Sequence, residues 1–103
     1  MTSDTDVRHA ALFAALGHPT RLCLLRKLAA GACCVTELTD ATDALQPKVS
    51  RHLGVLRDAG LVVCRTEGRR RCYRLVDPGL VDGLLALVAS VSPGEPGTGG
   101  DPA

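Results

Sequence analysis

Apolar residues recur at helical spacing in the first part of the chain. Residues 6–16 carry this pattern and stop at Gly17, which predicts a first helix. The next segment begins with Pro19, a residue favoured in the first turn of a helix, and ends at Gly31. Its predicted buried stripe consists of Leu22, Leu25 and Leu28.

Two further helices are predicted in the middle of the chain. Thr36 opens a short segment over residues 35–43, which suits about two helical turns. Pro47 fits the first turn of a fourth helix that ends at Gly60. The apolar stripe predicted to anchor this fourth helix consists of Val49, Leu53 and Leu56.

The pattern then changes to two β-rich runs. Residues 61–66 and 70–75 are separated by Glu67 and Gly68, which predicts a hairpin with glycine supplying a positive φ. A last apolar helix is predicted over residues 78–91. The Gly/Pro-rich remainder, residues 92–103, has almost nothing to bury, so we expect a disordered tail after a single domain of residues 1–91.

This order of elements predicts a fold class. It is mainly α with a β-hairpin, in the order α-α-α-α-β-β-α. A short helix, a brief turn and a basic helix followed by a hairpin form a winged helix-turn-helix.

Positive charge is concentrated in the middle of the chain. Residues 46–74 hold eight basic and two acidic side chains. Residues 1–45 hold four basic and five acidic side chains, and residues 75–103 hold four acidic side chains and no basic ones. A concentrated basic stretch is the electrostatic footprint of a polyanionic partner, most commonly nucleic acid. We therefore expect double-stranded DNA to be bound by the fourth helix and the hairpin.

The first turns of the fourth helix carry polar side chains, namely Gln46, Lys48, Ser50 and Arg51. Lys48 and Arg51 are predicted to face outward from the apolar stripe, with Ser50 at its shoulder. A recognition helix inserts these turns into the major groove, where Gln can pair with adenine and Arg or Lys with guanine or phosphate. His52 adjoins the stripe and is predicted to pack rather than to contact a base. The alternative is a solvated face of an amphipathic helix.

The hairpin contains three consecutive arginines. Arg69 and Arg71 are predicted to share one face of a strand, and Arg70 the other. They suit phosphate or minor-groove contacts more than base readout. Solvated charge is again the alternative, but the hairpin and the charge asymmetry together favour DNA binding.

Five cysteines are an odd number for a disulfide framework. The N-terminus is acidic rather than an export signal, and no apolar run approaches the roughly 20 residues of a membrane span. We therefore expect a cytoplasmic protein without a membrane partner, whose thiols are free, bind metal or act as redox switches. The five are Cys23, Cys33, Cys34, Cys64 and Cys72.

Four segments together resemble the ArsR/SmtB family of bacterial metal-responsive repressors: LGHPTRLCLLRKLAAG, VTELTDA, LQPKVSRHLGVLRDAGLV and RTEGRRRCYRL. The resemblance runs from about Leu16 to Leu75. It implies a homodimer joined through the first and last helices, with two winged helices presented to successive major grooves of a palindromic operator. It also implies that an inducer releases the protein from DNA. The family often has serine where Leu45 stands, so an expected hydroxyl contact or cap is absent.

The resemblance also draws attention to the loop before the third helix. In the arsenic-responsive branch two cysteines separated by one residue lie there; Cys34 matches the first, and Thr36 replaces the second. Cys33 is the substitute, which gives a vicinal pair. Thiolates select soft or borderline ions, including arsenic(III), cadmium, zinc, mercury and copper(I). The family's other site, on the last helix, uses histidine, and residues 77–91 contain none.

Two cysteines do not complete a metal site. A trigonal arsenic(III) site needs three sulfurs, and a tetrahedral zinc or cadmium site needs four donors. One further candidate ligand is Cys23, for which an inert cysteine is the alternative. Another is His9 in the N-terminal arm of a second subunit. Cys64 and Cys72, on the two hairpin strands, are possible cross-strand neighbours that could bind metal or form a disulfide, or could pack as small hydrophobes.

The sequence thus predicts a transcriptional repressor released from its operator when a thiophilic metal or metalloid binds cysteines. Arsenic(III), as arsenite, is the first candidate inducer, another thiophilic metal ion the second, and no organic cofactor is expected. The main alternative is a redox or reactive-sulfur sensor that acts through cysteine oxidation. An enzyme is disfavoured because the vicinal pair has no nearby base and no phosphate-cradling loop. An interaction module that lost its operator is a third alternative.

Overall fold

The computed structural model describes residues 1–91, so the predicted tail lies outside the described residues. Those residues form helices and one small sheet in the order α1 (Asp4–Leu16), α2 (Pro19–Ala29), β1 (Cys33–Cys34), α3 (Val35–Asp40), α4 (Gln46–Asp58), β2 (Val62–Glu67), β3 (Arg70–Leu75) and α5 (Pro78–Ala89). This order confirms the winged helix-turn-helix prediction. The two-residue strand β1 is an element that the sequence did not predict.

Side-chain caps fix where three of the helices begin. The Ser3 hydroxyl accepts from the Asp6 backbone amide at 3.0 Å, which starts α1 two residues earlier than predicted. His18 Nδ1 accepts from the Thr20 amide at 3.1 Å ahead of α2. Asp77 Oδ1 accepts from the Leu80 amide at 3.0 Å ahead of α5. Each bond satisfies an amide that has no partner within its own helix.

The buried face of α2 differs from the prediction at one position. Leu24, Leu25 and Leu28 are buried, whereas Leu22 is only half-buried. α2 packs against α1, α4, α5 and β3, and this packing covers Leu24 more fully than Leu22. The prediction for α4 is confirmed, because its buried residues are Val49, Leu53 and Leu56.

The sheet places β3 between β1 and β2, and both pairings are antiparallel. The predicted hairpin is confirmed, but its turn lies one residue later than expected. Glu67 pairs with Arg70 in the ladder, so Gly68 and Arg69 form the two-residue turn. Gly68 has a φ of 61°, which is the left-handed conformation that glycine adopts without steric cost.

Two helices leave apolar side chains uncovered. On α1, Val7 and Phe13 are exposed, and on α5, Leu80, Leu87 and Val88 are exposed. Large apolar side chains exposed on two helices are candidates for an interaction surface. No helix within residues 1–91 is long and apolar enough to cross a membrane.

Candidate functional site

The first turns of α4 present polar side chains to solvent. Gln46, Lys48 and Arg51 are exposed and Ser50 is half-buried. Of these, Lys48 and Arg51 lie on the side of α4 away from the buried stripe. Leu45 is the N-cap residue and supplies no side-chain cap, which matches the absence of the expected hydroxyl. Pro47 has no amide hydrogen and the Lys48 amide donates to the Leu45 carbonyl at 2.9 Å, so among the first three residues of α4 only Gln46 offers its amide to a phosphate oxygen.

The three arginines of the hairpin take different positions. Arg69 lies in the turn rather than on a strand, so the prediction that it shares a strand face with Arg71 is wrong. Arg71 is exposed, on the same face as Tyr73, and a hydrogen bond to Cys64 raises the pKa of the Arg71 guanidinium. Arg70 lies on the opposite face, where its Nη2 donates to Cys34 Sγ at 3.1 Å.

A polar cluster behind α4 ties it to α1 and α2. Arg21 donates to the Ala15 carbonyl at 2.6 Å and to the Ala14 carbonyl at 3.0 Å, and its Nη1 lies 3.1 Å from His52 Nδ1. The His18 and His52 rings pack with their centroids 4.3 Å apart. His52 is half-buried and hydrogen-bonded, as predicted, whereas its Arg21 partner was not predicted.

The charge state of His52 follows from these neighbours. Burial lowers the pKa of His52, and the positive charges of His18 and Arg21 lower it further. A neutral His52 can accept a hydrogen bond from the Arg21 guanidinium, whereas a protonated ring would repel that guanidinium. The hydrogen bond from Arg21 therefore holds α4 in place when His52 is neutral.

Cys33 and Cys34 point to opposite sides of β1, because neighbouring residues on a strand alternate. Cys33 belongs to the hydrophobic core, and its Sγ donates to the Gly31 carbonyl at 3.5 Å. Burial raises the pKa of the Cys33 thiol, and Glu37 raises it further. The two thiols lie in a strand rather than in the predicted loop, and the structure does not bring them together as one chelating pair.

Glu37 holds Cys34 from the first turn of α3. Its Oε1 accepts from the Cys34 backbone amide at 3.0 Å and from Cys34 Sγ at 2.8 Å. The side-chain bond from Cys34, followed by the backbone bond, lowers the pKa of Glu37. Sequence reasoning missed Glu37, although its spacing is that of a capping box with cysteine in place of serine or threonine.

The sheet register decides which thiols are neighbours. Cys64 pairs with Tyr73, so it lies on the opposite face of the hairpin from Cys72, and the two are not the cross-strand neighbours that the sequence left possible. Cys72 instead pairs directly with Cys34 of β1. Both line an open groove of about 290 Å³ whose polar walls also include Glu37, Arg65, Glu67, Arg70 and Arg74.

The other candidate ligands lie apart from this groove. Cys23 is half-buried on α2, with its Sγ 3.5 Å from the Ala41 carbonyl, and His9 is exposed on α1. Among residues 1–91 of one chain, no three or more His, Cys, Asp or Glu side chains are close enough to hold a metal ion. A site with three or more protein donors would therefore need a rearrangement or a second subunit.

Comparisons with known proteins agree with this geometry. Residues 18–63 match the model of the bacterial regulatory protein arsR family. A transcriptional regulator from Methanocaldococcus jannaschii is 44% identical over 69 residues, 66% of this chain and 78% of the relative. The arsenical resistance operon repressor of Escherichia coli is 45% identical over 65 residues, 62% of this chain and 56% of the repressor.

A solved structure is similar to this chain over most of its length. The homodimeric winged helix-turn-helix DNA-binding domain of a possible ArsR-family regulator from Mycobacterium bovis aligns with a TM-score of 0.74 and 30% identity. The alignment covers 86% of this chain and 88% of that one. The matched residues include α2, α3 and α4, which carry the helix-turn-helix. This chain therefore belongs to the ArsR/SmtB family of winged helix-turn-helix transcriptional repressors.

Proposed function

We propose that this protein is a homodimeric repressor that leaves a palindromic operator when a thiophilic metalloid, with arsenite as the first candidate, binds Cys34. The observation that carries the proposal is the 3.1 Å hydrogen bond from Arg70 Nη2 to Cys34 Sγ. It joins a thiol at the start of α3 to an arginine of the hairpin. Chemistry at the sulfur is thereby linked to an element that contacts DNA.

DNA binding would use two surfaces of each subunit in the cytoplasm. The exposed first turns of α4 enter the major groove, where Gln46 and Arg51 address base edges and Lys48 a phosphate. The turn of the hairpin brings Arg69 and Arg71 to the adjacent backbone, where guanidinium groups position the protein without reading sequence. A second subunit repeats these contacts on the other half-site.

Induction would begin with the loss of the Cys34 thiol proton. Arsenite exchanges a hydroxyl group for a thiolate and releases water, so Cys34 would no longer donate to Glu37. A chelate that also used Cys33 would require β1 to leave its pairing with β3, because the two side chains face opposite sides. Either change displaces the start of α3, which packs directly against α4.

Operator affinity with and without arsenite tests the proposal. We expect wild-type protein to bind a duplex from its own promoter region selectively, and to lose roughly tenfold or more in affinity with arsenite. Cys34→Ser should bind the duplex without responding, because serine keeps a hydroxyl donor to Glu37 but supplies no soft ligand. Cys64→Ser, on the opposite face of the hairpin, is the matched control and should still respond.

Two results would contradict the proposal at different points. Release of Cys34→Ser by arsenite would remove Cys34 from the inducer site. If the protein bound DNA without sequence selectivity, and Arg51→Ala bound it as tightly as wild type, the proposed operator recognition would be wrong. Parallel titrations with cadmium, zinc and a hydroperoxide identify which chemistry produces the release.

A further inference from the structure

We propose that Cys34 and Cys72 form a dithiol that a hydroperoxide converts to a disulfide, which ties β1 to the central hairpin strand β3. The two residues are direct partners in the antiparallel pairing of these strands. Both are free thiols on the wall of the same groove. Only the effect on DNA described below rests on the proposed repressor function; the bridge itself does not.

The strand geometry fits a disulfide without a change of register. Directly opposed residues on antiparallel strands have Cα atoms about 4.5 or about 5.5 Å apart, depending on their hydrogen-bonding position. Disulfides span Cα separations of about 4.4–6.8 Å, so both positions qualify. The side chains of opposed residues also share one face of the sheet. Cys64 and Cys33 are disfavoured, because they lie on the Tyr73 face.

Cys72 is the thiol that an oxidant reaches first. It is half-buried, whereas Cys34 is buried. Arg65 lies opposite Cys72 on β2, and Arg70 and Arg74 flank it at alternate positions of β3, so three guanidinium groups share its face. A cysteine must be reached by solvent before a peroxide can oxidise it. The groove of about 290 Å³ has room for a small hydroperoxide.

Cys34 is placed to resolve the oxidised sulfur. In the first step the Cys72 thiolate attacks the terminal oxygen of the hydroperoxide; the O–O bond breaks, the alcohol leaves with a proton, and Cys72 becomes a sulfenic acid. In the second step Cys34 sulfur attacks Cys72 sulfur, the S–S bond forms, and the S–O bond breaks. The Cys34 proton passes to Glu37, which already accepts it at 2.8 Å, and then to the departing oxygen, which leaves as water.

The bridge would change the hairpin because Arg70 loses its partner. A Cys34 sulfur that is bonded to Cys72 no longer lies between Glu37 and Arg70. The covalent tie also fixes the hairpin against the start of α3, so it can no longer adjust to the DNA backbone independently of α4. We therefore expect the oxidised protein to bind its operator more weakly.

Peptide mapping of the oxidised full-length chain tests the bridge directly. Trypsin cleaves after Arg71 and Arg74, so it releases Cys72 in a tripeptide that contains no other cysteine. After hydrogen peroxide treatment of the reduced protein, this tripeptide should be found linked to the peptide that spans residues 28–48. The protein should lose two of its five free thiols and regain them with dithiothreitol.

Variants identify which cysteine of that peptide forms the disulfide. They also test the effect of the disulfide on DNA binding. Cys33→Ser and the matched control Cys64→Ser should still form the link, whereas Cys34→Ser should not. Operator affinity should fall about fivefold or more on oxidation of wild type, reversibly, and stay constant in Cys72→Ser. A link to Cys33 or Cys64, or thiols oxidised only to sulfinic acid, would overturn the bridge.

The mapping on wild type needs no variant, so a misfolded variant cannot hide the result. A correct bridge with unchanged operator affinity would overturn the effect on DNA alone. Reduced protein that fails to bind any operator would instead count against the repressor function and leave the bridge intact.

Discussion

Arg70 illustrates how a single side chain can serve two surfaces. Its position on the opposite hairpin face from Arg71 was predicted correctly. Its contact with Cys34 was not, because that contact depends on β1. A strand of only two residues has no periodic pattern from which it can be predicted. Hydrogen bonding to Cys34, followed by the charges of Cys34 and Cys72, raises the pKa of Arg70, so the guanidinium stays charged beside both thiols. While it donates to Cys34, Arg70 holds the hairpin against the start of α3.

His52 makes stability depend on pH in a defined direction. Its pKa is lowered in the folded protein, so between that value and the unfolded value of about 6.5 the unfolded chain binds more protons. Stability is therefore complete above about pH 6.5 and falls as the pH drops towards the folded pKa. The positive groups responsible are His18, Arg21, Arg51 and Lys48.

Replacing His52 with glutamine should remove this part of the pH dependence, since an amide oxygen can accept from Arg21 without titrating. Urea unfolding at about pH 5 and about pH 7.5, at one protein concentration, measures the difference in free energy between the two conditions. Wild type should lose more stability at the lower pH than His52→Gln. His9→Gln, on the exposed face of α1, is the control, and an equal loss in all three proteins would contradict the prediction.

The helices show why pattern predicts some elements better than others. The stripe of α4 is regular because one side of it packs on the core, and its predicted buried residues are all correct. On α2 the buried position is Leu24 rather than the predicted Leu22, which could be known only from the packed structure. The relation between Cys34 and Cys72 has the same origin, because it depends on the register of β1 against β3.

The anchoring of α4 can be tested with two residues on the same helix. Leu53 is fully buried, whereas Val55 is 36% exposed. Leu53→Ala should lower the free energy of unfolding by about 2–5 kcal/mol, because it removes buried methyl groups and leaves a cavity. Val55→Ala should cost well under about 1 kcal/mol, as surface substitutions do. Denaturant unfolding at a fixed protein concentration measures both, and similar losses would contradict this account of how α4 is held.

In a single chain, the first and last helices, α1 and α5, are mostly exposed. Of the thirteen residues of α1, only Ala15 is buried, and of α5 only Val81. A small domain gains little from such surfaces unless another chain covers them. The homodimeric domain from Mycobacterium bovis shares this fold, and a two-fold dimer presents its two recognition helices to half-sites one DNA turn apart.

A charge placed in the α5 surface should separate the subunits. Leu87 is 69% exposed in the single chain, so Leu87→Asp can fold as a monomer, but a buried, unpaired carboxylate would oppose pairing. We expect light scattering after size-exclusion chromatography to give a dimer for wild type and a monomer for Leu87→Asp. Ala29→Asp, at the exposed end of α2, is the control and should stay dimeric.

The monomer should bind the operator at least roughly a hundredfold more weakly, because the two half-sites are no longer linked. A dimeric Leu87→Asp would place the interface elsewhere, and a monomer with wild-type affinity would show that one winged helix suffices.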